Sequence, residues 1–141
     1  MTKNYFVLAM LSIFTLASCD DDYTIFRKEE VSFYIDGKKW KAESIYKAGT
    51  VTSNDTLYIT AVKDNEELEL EISFDHSAIN FTDKSGNVYK SIYNNTDQLL
   101  KLEIDEYKND WLDGDFDCKL FTEDGKKKIN LYDGEYEVNL E

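Results

Sequence analysis

The sequence predicts an all-β fold, in which a single antiparallel meander of about eight or nine strands forms a small barrel or a sandwich. From about residue 31 onward, apolar and polar residues alternate, which is typical of strands that bury one face and expose the other. Asp-Gly occurs four times, and this pair favours hairpin turns because type I′ turns need positive φ. No crossover helix is predicted between strands, so consecutive strands are expected to pair antiparallel.

The predicted strands follow this alternation in chain order. Their ranges are 31–35, 38–46, 56–63, 67–74, 87–93, 98–105, 116–122, 126–132 and 135–140. Turns at Asp36-Gly37, Asp124-Gly125 and Asp133-Gly134 are predicted to connect hairpins. Polar loops are predicted near 48–55, 76–86, 94–97 and 107–112. The residues predicted to face the core are Val31, Phe33, Ile35, Trp40, Leu57, Ile59, Ala61, Leu68, Leu70, Ile72, Phe74, Leu100, Leu102, Ile104, Phe116, Cys118, Leu120, Tyr136, Val138 and Leu140.

The first eighteen residues have the composition of a signal peptide that is later removed. Lys3 precedes an apolar run of about thirteen residues, whereas a membrane-spanning helix needs roughly twenty. Leu16-Ala17-Ser18-Cys19 resembles a bacterial lipobox, so residues 1–18 are predicted to be cleaved and Cys19 to carry lipid such as palmitate. Several acyl chains on one cysteine give durable membrane anchoring. The alternative is an ordinary secretory signal with an incidental cysteine.

An acidic run, Asp20-Asp21-Asp22, follows the cysteine directly. It resembles an export tag for the outside of the outer membrane, although Asp in the second position can also mean retention at the inner membrane. A third interpretation is a tether that its like charges hold extended. The sequence is therefore divided into a signal peptide (1–18), a lipidated acidic tether (19–30) and one β-domain (31–141). The predicted location is the outer membrane, at the cell surface, with the periplasmic face as the alternative.

The net charge of the chain is -13, from sixteen Lys and Arg and twenty-nine Asp and Glu. This charge repels phosphate backbones, so no nucleic-acid partner is expected. If Cys19 is lipidated, Cys118 has no partner for an intramolecular disulfide. Its alternation with Phe116 and Leu120 favours an inert core thiol.

Three patterns that invite a metal or catalytic interpretation fail on inspection. Asp113, Asp115 and Asp117 suggest a calcium loop, but the sixth and twelfth positions lack the required Gly and Glu, so a solvent-facing strand is favoured. His76 is the only histidine, which leaves no zinc site and no triad, and it is expected in a loop at a strand end. Paired carboxylates for glycoside hydrolysis need a buried acid, and nearly all acids here are predicted to face solvent. No enzyme activity and no cofactor are expected.

Several aromatic residues occupy the alternating strand positions that are otherwise polar and predicted to face solvent, namely Tyr34, Tyr46, Tyr58 and Tyr132. Such rings can stack on sugars or fill a partner's pocket, but they also make cross-strand pairs. Trp111, predicted in a loop, is either a plug at the end of the barrel or an exposed anchor. Trp111 and Tyr58 are the candidate binding aromatics. Asp55-Thr56-Leu57 resembles a short O-glycosylation signal, which makes Thr56 a candidate acceptor.

Two stretches, Val31 to Trp40 and Gly114 to Val138, carry a family resemblance. The motifs Asp36-Gly37-Lys38-Lys39-Trp40, Gly114-Asp115-Phe116 and Asp133-Gly134-Glu135-Tyr136 resemble an uncharacterised family of small Bacteroidota lipoproteins with an all-β domain. Tyr132 and Tyr136 depart from the Thr and Phe usual there. The resemblance implies the fold and an envelope location, and it implies no activity.

The sequence thus predicts a non-catalytic binding module that is lipid-anchored in the envelope, with a glycan or protein partner. One alternative is an acidic inhibitor or immunity lipoprotein that binds a basic protein. Another is a lipocalin-like carrier, which requires a cavity for an apolar ligand.

Overall fold

The computed structural model describes residues 27–52, 54–91 and 100–141, and every regular element in them is a β-strand. The predicted signal peptide, Cys19, Asp20, Asp21 and Asp22 lie outside these residues, as does the loop predicted at 94–97. The strands are β1 (Glu30–Ile35), β2 (Lys38–Lys41), β3 (Ser44–Ala48), β4 (Leu57–Lys63), β5 (Glu66–Ile72), β6 (Ser77–Thr82), β7 (Val88–Ser91), β8 (Leu100–Lys108), β9 (Trp111–Phe121) and β10 (Lys128–Asn139). No helix in the described ranges is long and apolar enough to cross a membrane.

The strands form one antiparallel sheet in the order β2-β1-β10-β9-β7-β6-β5-β4-β3, which confirms the predicted meander. β8 also pairs with β9, beside the stretch of β9 that β7 leaves free. The N-terminal strand β1 lies next to the C-terminal strand β10. The two edge strands of the sheet, β2 and β3, follow each other directly in the chain. The two edges must therefore lie close together, so the sheet curls back on itself.

The inner face of the curled sheet is filled by an aromatic cluster centred on Phe33. The Phe33 ring stacks on Trp40 at 4.7 Å between centroids and meets Phe81 edge-on at 5.8 Å. It also lies 6.0 Å from Phe116. Trp40 donates a 2.9 Å hydrogen bond from Nε1 to Glu66, which links β2 across the curl to β5. The predicted core positions on β1, β2, β4, β9 and the end of β10 are therefore confirmed as buried or packed against the buried cluster.

Two predicted core residues are instead exposed. Phe74 lies beyond the end of β5 with 73% of its surface exposed, because Ser73 to His76 form a turn. Ile104 is 43% exposed, since β8 pairs with β9 on one side and has a register shift between Ile104 and Glu106.

Several predicted boundaries are wrong. The predicted loop 76–86 contains β6, and the predicted strand 38–46 is divided into β2 and β3 at opposite edges of the sheet. The predicted loop 107–112 is a tight turn at Asn109-Asp110, where both residues have positive φ, so Trp111 lies in β9 rather than in a loop. β1 begins at Glu30, within the predicted tether.

The predicted hairpin at Asp133-Gly134 is also wrong, because β10 runs through these residues. Asp133 has a φ of 48°, and the register with β9 shifts between Leu131 and Gly134. The pair therefore forms a β-bulge and not a turn.

Two glycines and two aromatic rings interlock across β9 and β10. Gly114 pairs with Tyr136, and Gly134 pairs with Phe116, so each strand offers one glycine to a ring of the other. The Tyr136 hydroxyl passes over Gly114 and donates a 2.7 Å hydrogen bond to the Glu103 carbonyl of β8. A Cβ at Gly114 would overlap that carbonyl oxygen, and a Cβ at Gly134 would overlap the Phe116 ring. Aromatic rings packed over strand glycines fix the register.

We expect Gly114→Ala to lower the free energy of unfolding by about 1–3 kcal/mol, the usual cost of overpacking a well-filled site. Chemical denaturation measures this change. Gly125→Ala is the matched control, because Gly125 has open space around it and only its positive φ is strained. Equal destabilisation by the two substitutions would contradict the proposed role of the Gly114–Tyr136 pair.

Candidate functional site

The outer face of the sheet carries a set of acidic side chains that we call the acidic ladder. It spans β1, β10, β9 and β8, and its side chains lie opposite one another across neighbouring strands. The first row consists of Glu30, Glu137, Asp113 and Glu106, the second of Glu135, Asp115 and Glu103, and Asp105 lies at the register shift in β8.

The alternation of β9 and β10 explains why these acids share one face. Leu112, Gly114 and Phe116 face the core, so Asp113 and Asp115 face outward. In β10, Tyr136 and Val138 are buried, which turns Glu135 and Glu137 outward. Because the strands are antiparallel and in register, the outward acids of one strand meet those of the next.

Five carboxylate pairs lie directly opposite each other in the ladder: Glu30–Glu137, Glu137–Asp113, Asp113–Glu106, Glu135–Asp115 and Asp115–Glu103. Like charges at such positions destabilise a sheet. Crowding has a visible effect on Asp105, whose pKa is raised by desolvation and by the nearby charges of Asp115 and Asp113. One oxygen of Asp113, Oδ1, is buried without a hydrogen-bond partner.

Cationic side chains neutralise part of the ladder, chiefly in its first row. Arg27 forms a 3.1 Å salt bridge with Glu137 and a 3.8 Å contact with Glu106. Lys41 pairs with Glu30 at 2.7 Å, and this hydrogen bond lowers the pKa of Glu30.

Lys101 pairs with Glu103 at 3.2 Å. At the centre of the ladder, Asp113, Asp115 and Glu135 form no salt bridge with any described residue. A surface groove of about 400 Å³ lies over this centre and is also lined by Lys28. The ladder is therefore a negatively charged surface with a groove at its centre.

The ladder does not form a metal centre. Among the described residues, no group of three or more His, Cys, Asp or Glu side chains is arranged to hold a metal ion. Asp113, Asp115 and Asp117 point outward from a single extended strand, which agrees with the predicted solvent-facing strand and not with a calcium loop.

His76 lies in the exposed turn after β5. Its Nδ1 is 3.0 Å from the Ser73 hydroxyl and its Nε2 is 2.7 Å from Glu71. These contacts have the residue types and order of a Ser-His-Glu catalytic triad. The Ser73 hydroxyl, however, also accepts from the His76 backbone N–H and bonds to the His76 carbonyl, so it closes the turn. Glu71 and Asp75 raise the pKa of His76. The cluster therefore has the geometry of a strand-end cap.

Cys118 has 6% of its surface exposed, on the inner face of β9. Burial raises the pKa of its thiol to about 12, so the reactive thiolate is scarce at neutral pH. The predicted inert core thiol is consistent with this environment.

The two candidate binding aromatics lie at the same end of the sheet. Trp111 is the first residue of β9 and is partly exposed, with the Arg27 guanidinium 5.6 Å from its ring centroid. Tyr58 is the second residue of β4 and is 39% exposed. Neither ring belongs to the acidic ladder. Of the other outward tyrosines, Tyr34 and Tyr132 stack on each other at 5.7 Å, which is the cross-strand pairing considered for them.

Thr56, the candidate glycosylation site, is half-buried in the segment that precedes β4. Its backbone lies against Gly49, where a Cβ would overlap the Thr56 carbonyl. The structure does not place Thr56 beside the ladder residues that line the groove.

Comparison with known proteins finds no counterpart for this chain: no family model, no curated protein and no solved structure matches it. The resemblance to Bacteroidota lipoproteins therefore stays a prediction.

The ladder could not be predicted from the sequence, because the alternation shows that the acids face solvent but does not show which strands are neighbours. The local signal was present: Asp113-x-Asp115 and Glu135-x-Glu137 are acids at alternate positions on two strands. Only the register shows that these two pairs oppose each other.

We expect the double substitution Asp115→Asn/Glu135→Gln to raise the free energy of unfolding, by about 0.2–1 kcal/mol, because it removes the repulsion between opposed carboxylates. Thermal and chemical denaturation at low ionic strength measure the change.

The matched control is Glu67→Gln/Glu69→Gln on β5, which removes the same charge. Its two acids face Val62, Thr60, Thr82 and Asn80, none of which is acidic. A ladder variant that is no more stable than this control would show that the opposed carboxylates do not repel measurably.

Proposed function

We propose that this chain is a non-catalytic binding protein of the bacterial envelope, anchored by lipid on Cys19, and that its acidic ladder binds a basic protein. The observation that supports this most is the alignment of five carboxylate pairs on one outer face. Alternating sheets need polar residues outside, but they do not need acids directly opposite acids. An arrangement that disfavours folding is best explained by a use in binding.

The shape of the ladder favours a protein over a single cation. Four neighbouring strands separated by about 4.8 Å make a surface about 14 Å across, wide enough for several basic side chains of one partner. The groove over Asp113, Asp115 and Glu135 can receive a lysine or arginine side chain.

The charge of the ladder also favours fast association. Negative surfaces steer basic partners toward themselves, and this raises the association rate more than the intrinsic affinity. That behaviour suits an inhibitor or immunity lipoprotein, which must capture its partner before the partner acts.

The other candidate functions have less support in the geometry. A lipocalin-like carrier requires an internal cavity, whereas Phe33, Trp40, Phe81 and Phe116 fill the inner face. A groove of about 860 Å³ over β8, β9 and β10 is open to solvent and includes the polar residues Lys101, Asp117 and Lys119 among those that line it.

The ladder is tested with a lysine-rich peptide as a basic probe, measured by calorimetry or surface plasmon resonance. We expect Asp115→Asn/Glu135→Gln to weaken binding about tenfold or more, which corresponds to roughly 1.4 kcal/mol. The control Glu67→Gln/Glu69→Gln has the same net charge as the ladder variant. Its affinity for the peptide should nevertheless equal that of the wild-type protein. Affinity should fall as salt is added, because exposed charges are screened.

If both variants weakened binding equally, the probe would be responding to net charge alone. The ladder would then not be the binding surface, and the proposed function would lose its main support.

A further inference from the structure

The chain enters the domain at one defined end of the curled sheet. Arg27 lies over the Trp111 ring and pairs with Glu137 of β10. Glu29 accepts a 2.9 Å hydrogen bond from the Asn139 backbone N–H and also binds Lys47 of β3. These contacts fasten residues 27–29 to the sheet, so the point at which the tether leaves the domain is fixed.

The strand register shows which other segments share this end. Asn139 pairs with Trp111, and Trp111 pairs with Lys108, so the turn at Asn109-Asp110 lies here. Because Lys47 binds Glu29, the C-terminal end of β3 also lies at this end of the sheet. Through β3, β4, β5 and β6, the same end includes the segment 49–56 and the turn 73–76. We call it the tether end.

Three of the five exposed aromatic side chains in the described residues lie at the tether end, whereas Tyr46 and Tyr132 lie within strands β3 and β10. Phe74 in the turn after β5 is 73% exposed, and Tyr107 beside the Asn109-Asp110 turn is 57% exposed. Tyr58 at the start of β4 is 39% exposed, and Trp111 is partly exposed. These four rings form the rim of the tether end. Several exposed rings at one end of a domain are typical of a surface that contacts a protein or a membrane.

The length of chain beyond Arg27 limits how far the rim can be from the lipid. Arg27 lies eight positions after Cys19, and even a fully extended chain covers at most about 3.5 Å per position, or roughly 28 Å. The opposite end is more remote, since the twelve residues of β10 extend about 40 Å at 3.3 Å per residue. The rim can therefore reach the bilayer surface while the opposite end cannot.

We propose that the rim residues Tyr58, Phe74, Tyr107 and Trp111 rest on the lipid bilayer and set the orientation of the domain on the membrane. This inference rests on the proposed lipidation of Cys19. Tyrosine and tryptophan prefer the headgroup region, where the ring is in an apolar layer and the polar atom is in water. Lys28 and Lys108 flank the rim, but the nearby acids offset them, so the contact depends on the rings and the tether and not on anionic lipid.

The two tryptophans make this proposal measurable. Trp40 is 3% exposed in the core, and Trp111 is in the rim, so the difference between wild-type and Trp111→Phe fluorescence isolates the rim tryptophan. The full-length lipidated protein is reconstituted into phosphatidylcholine vesicles with or without bromine on the acyl chains, which quenches nearby indoles. We expect the Trp111 emission to fall about twofold or more in the brominated vesicles.

The matched control moves the reporter to the other end of the sheet. Val88 is 43% exposed at the start of β7, so Val88→Trp in the Trp111→Phe background should show no quenching. In the wild-type background, Phe74→Ser/Tyr107→Ser should reduce the quenching of Trp111. Both changed side chains are more than half exposed, so the fold should be unaffected.

The outcomes separate the orientation from the anchor. If mass spectrometry found no lipid on Cys19, or if Cys19→Ala stayed bound to the vesicles, the lipid anchor itself would be wrong. If Cys19 carried lipid but Trp111 were not quenched, the anchor would stand and the orientation would be wrong, with the rim free for a protein or glycan partner. Equal quenching at Trp111 and at position 88 would also overturn the orientation.

Discussion

The register between β9 and β10 is the constraint on which both surfaces of this sheet depend. Inside, the Tyr136 ring occupies the space over Gly114, and the Phe116 ring occupies the space over Gly134. Because side chains alternate with a period of two, a slip of one residue would turn Asp113 and Asp115 toward the core. The glycine–aromatic pairs therefore fix the position of the acids outside, although they never touch them.

The hydrogen bond from the Tyr136 hydroxyl to the Glu103 carbonyl extends this constraint to β8. It adds to the pairing of β8 with β9 and to the packing of Leu100 and Leu102 against the core, since most other residues of β8 are exposed. The Glu103 and Glu106 side chains complete the two rows of the ladder on β8. The same tyrosine thus fills the core and holds the strand that finishes the acidic surface.

The ladder and the rim lie close together in this arrangement. Glu137 and Asp113 are each two residues from the tether end, a distance of about 7 Å along a strand. If the rim rests on the bilayer, the first row of the ladder lies just above the headgroups. A basic partner would then approach along the membrane, as a neighbouring membrane-bound protein would.

The sequence predicts the strand interiors well, because alternation is a local signal. The buried positions of β1, β4 and β5 agree with it up to Ile72, and Asp36-Gly37 forms the predicted turn with positive φ at both residues. Alternation continues to Phe74, but the Ser73 hydroxyl closes a turn there, and the side chain leaves the core.

The errors arise where distant residues decide the outcome. Asp133-Gly134 has the composition of a turn, yet Gly134 is needed in the strand because the Phe116 ring lies over it. β6 was missed because only two of its residues, Ile79 and Phe81, are buried hydrophobics, too few for a clear pattern. The rows of the ladder could not be predicted, since they depend on the register between strands that are far apart in sequence.

The sheet holds like charges together at a cost to its stability. The most direct measurement is the melting temperature of the wild-type protein as sodium chloride is raised from about 10 mM to about 100 mM, which shortens the screening length from roughly 30 Å to 10 Å. If the opposed carboxylates repel, the melting temperature rises over this range, and the rise is smaller when Asp115 and Glu135 are neutral. A melting temperature that stayed constant or fell would mean that the opposed carboxylates do not repel in the folded state.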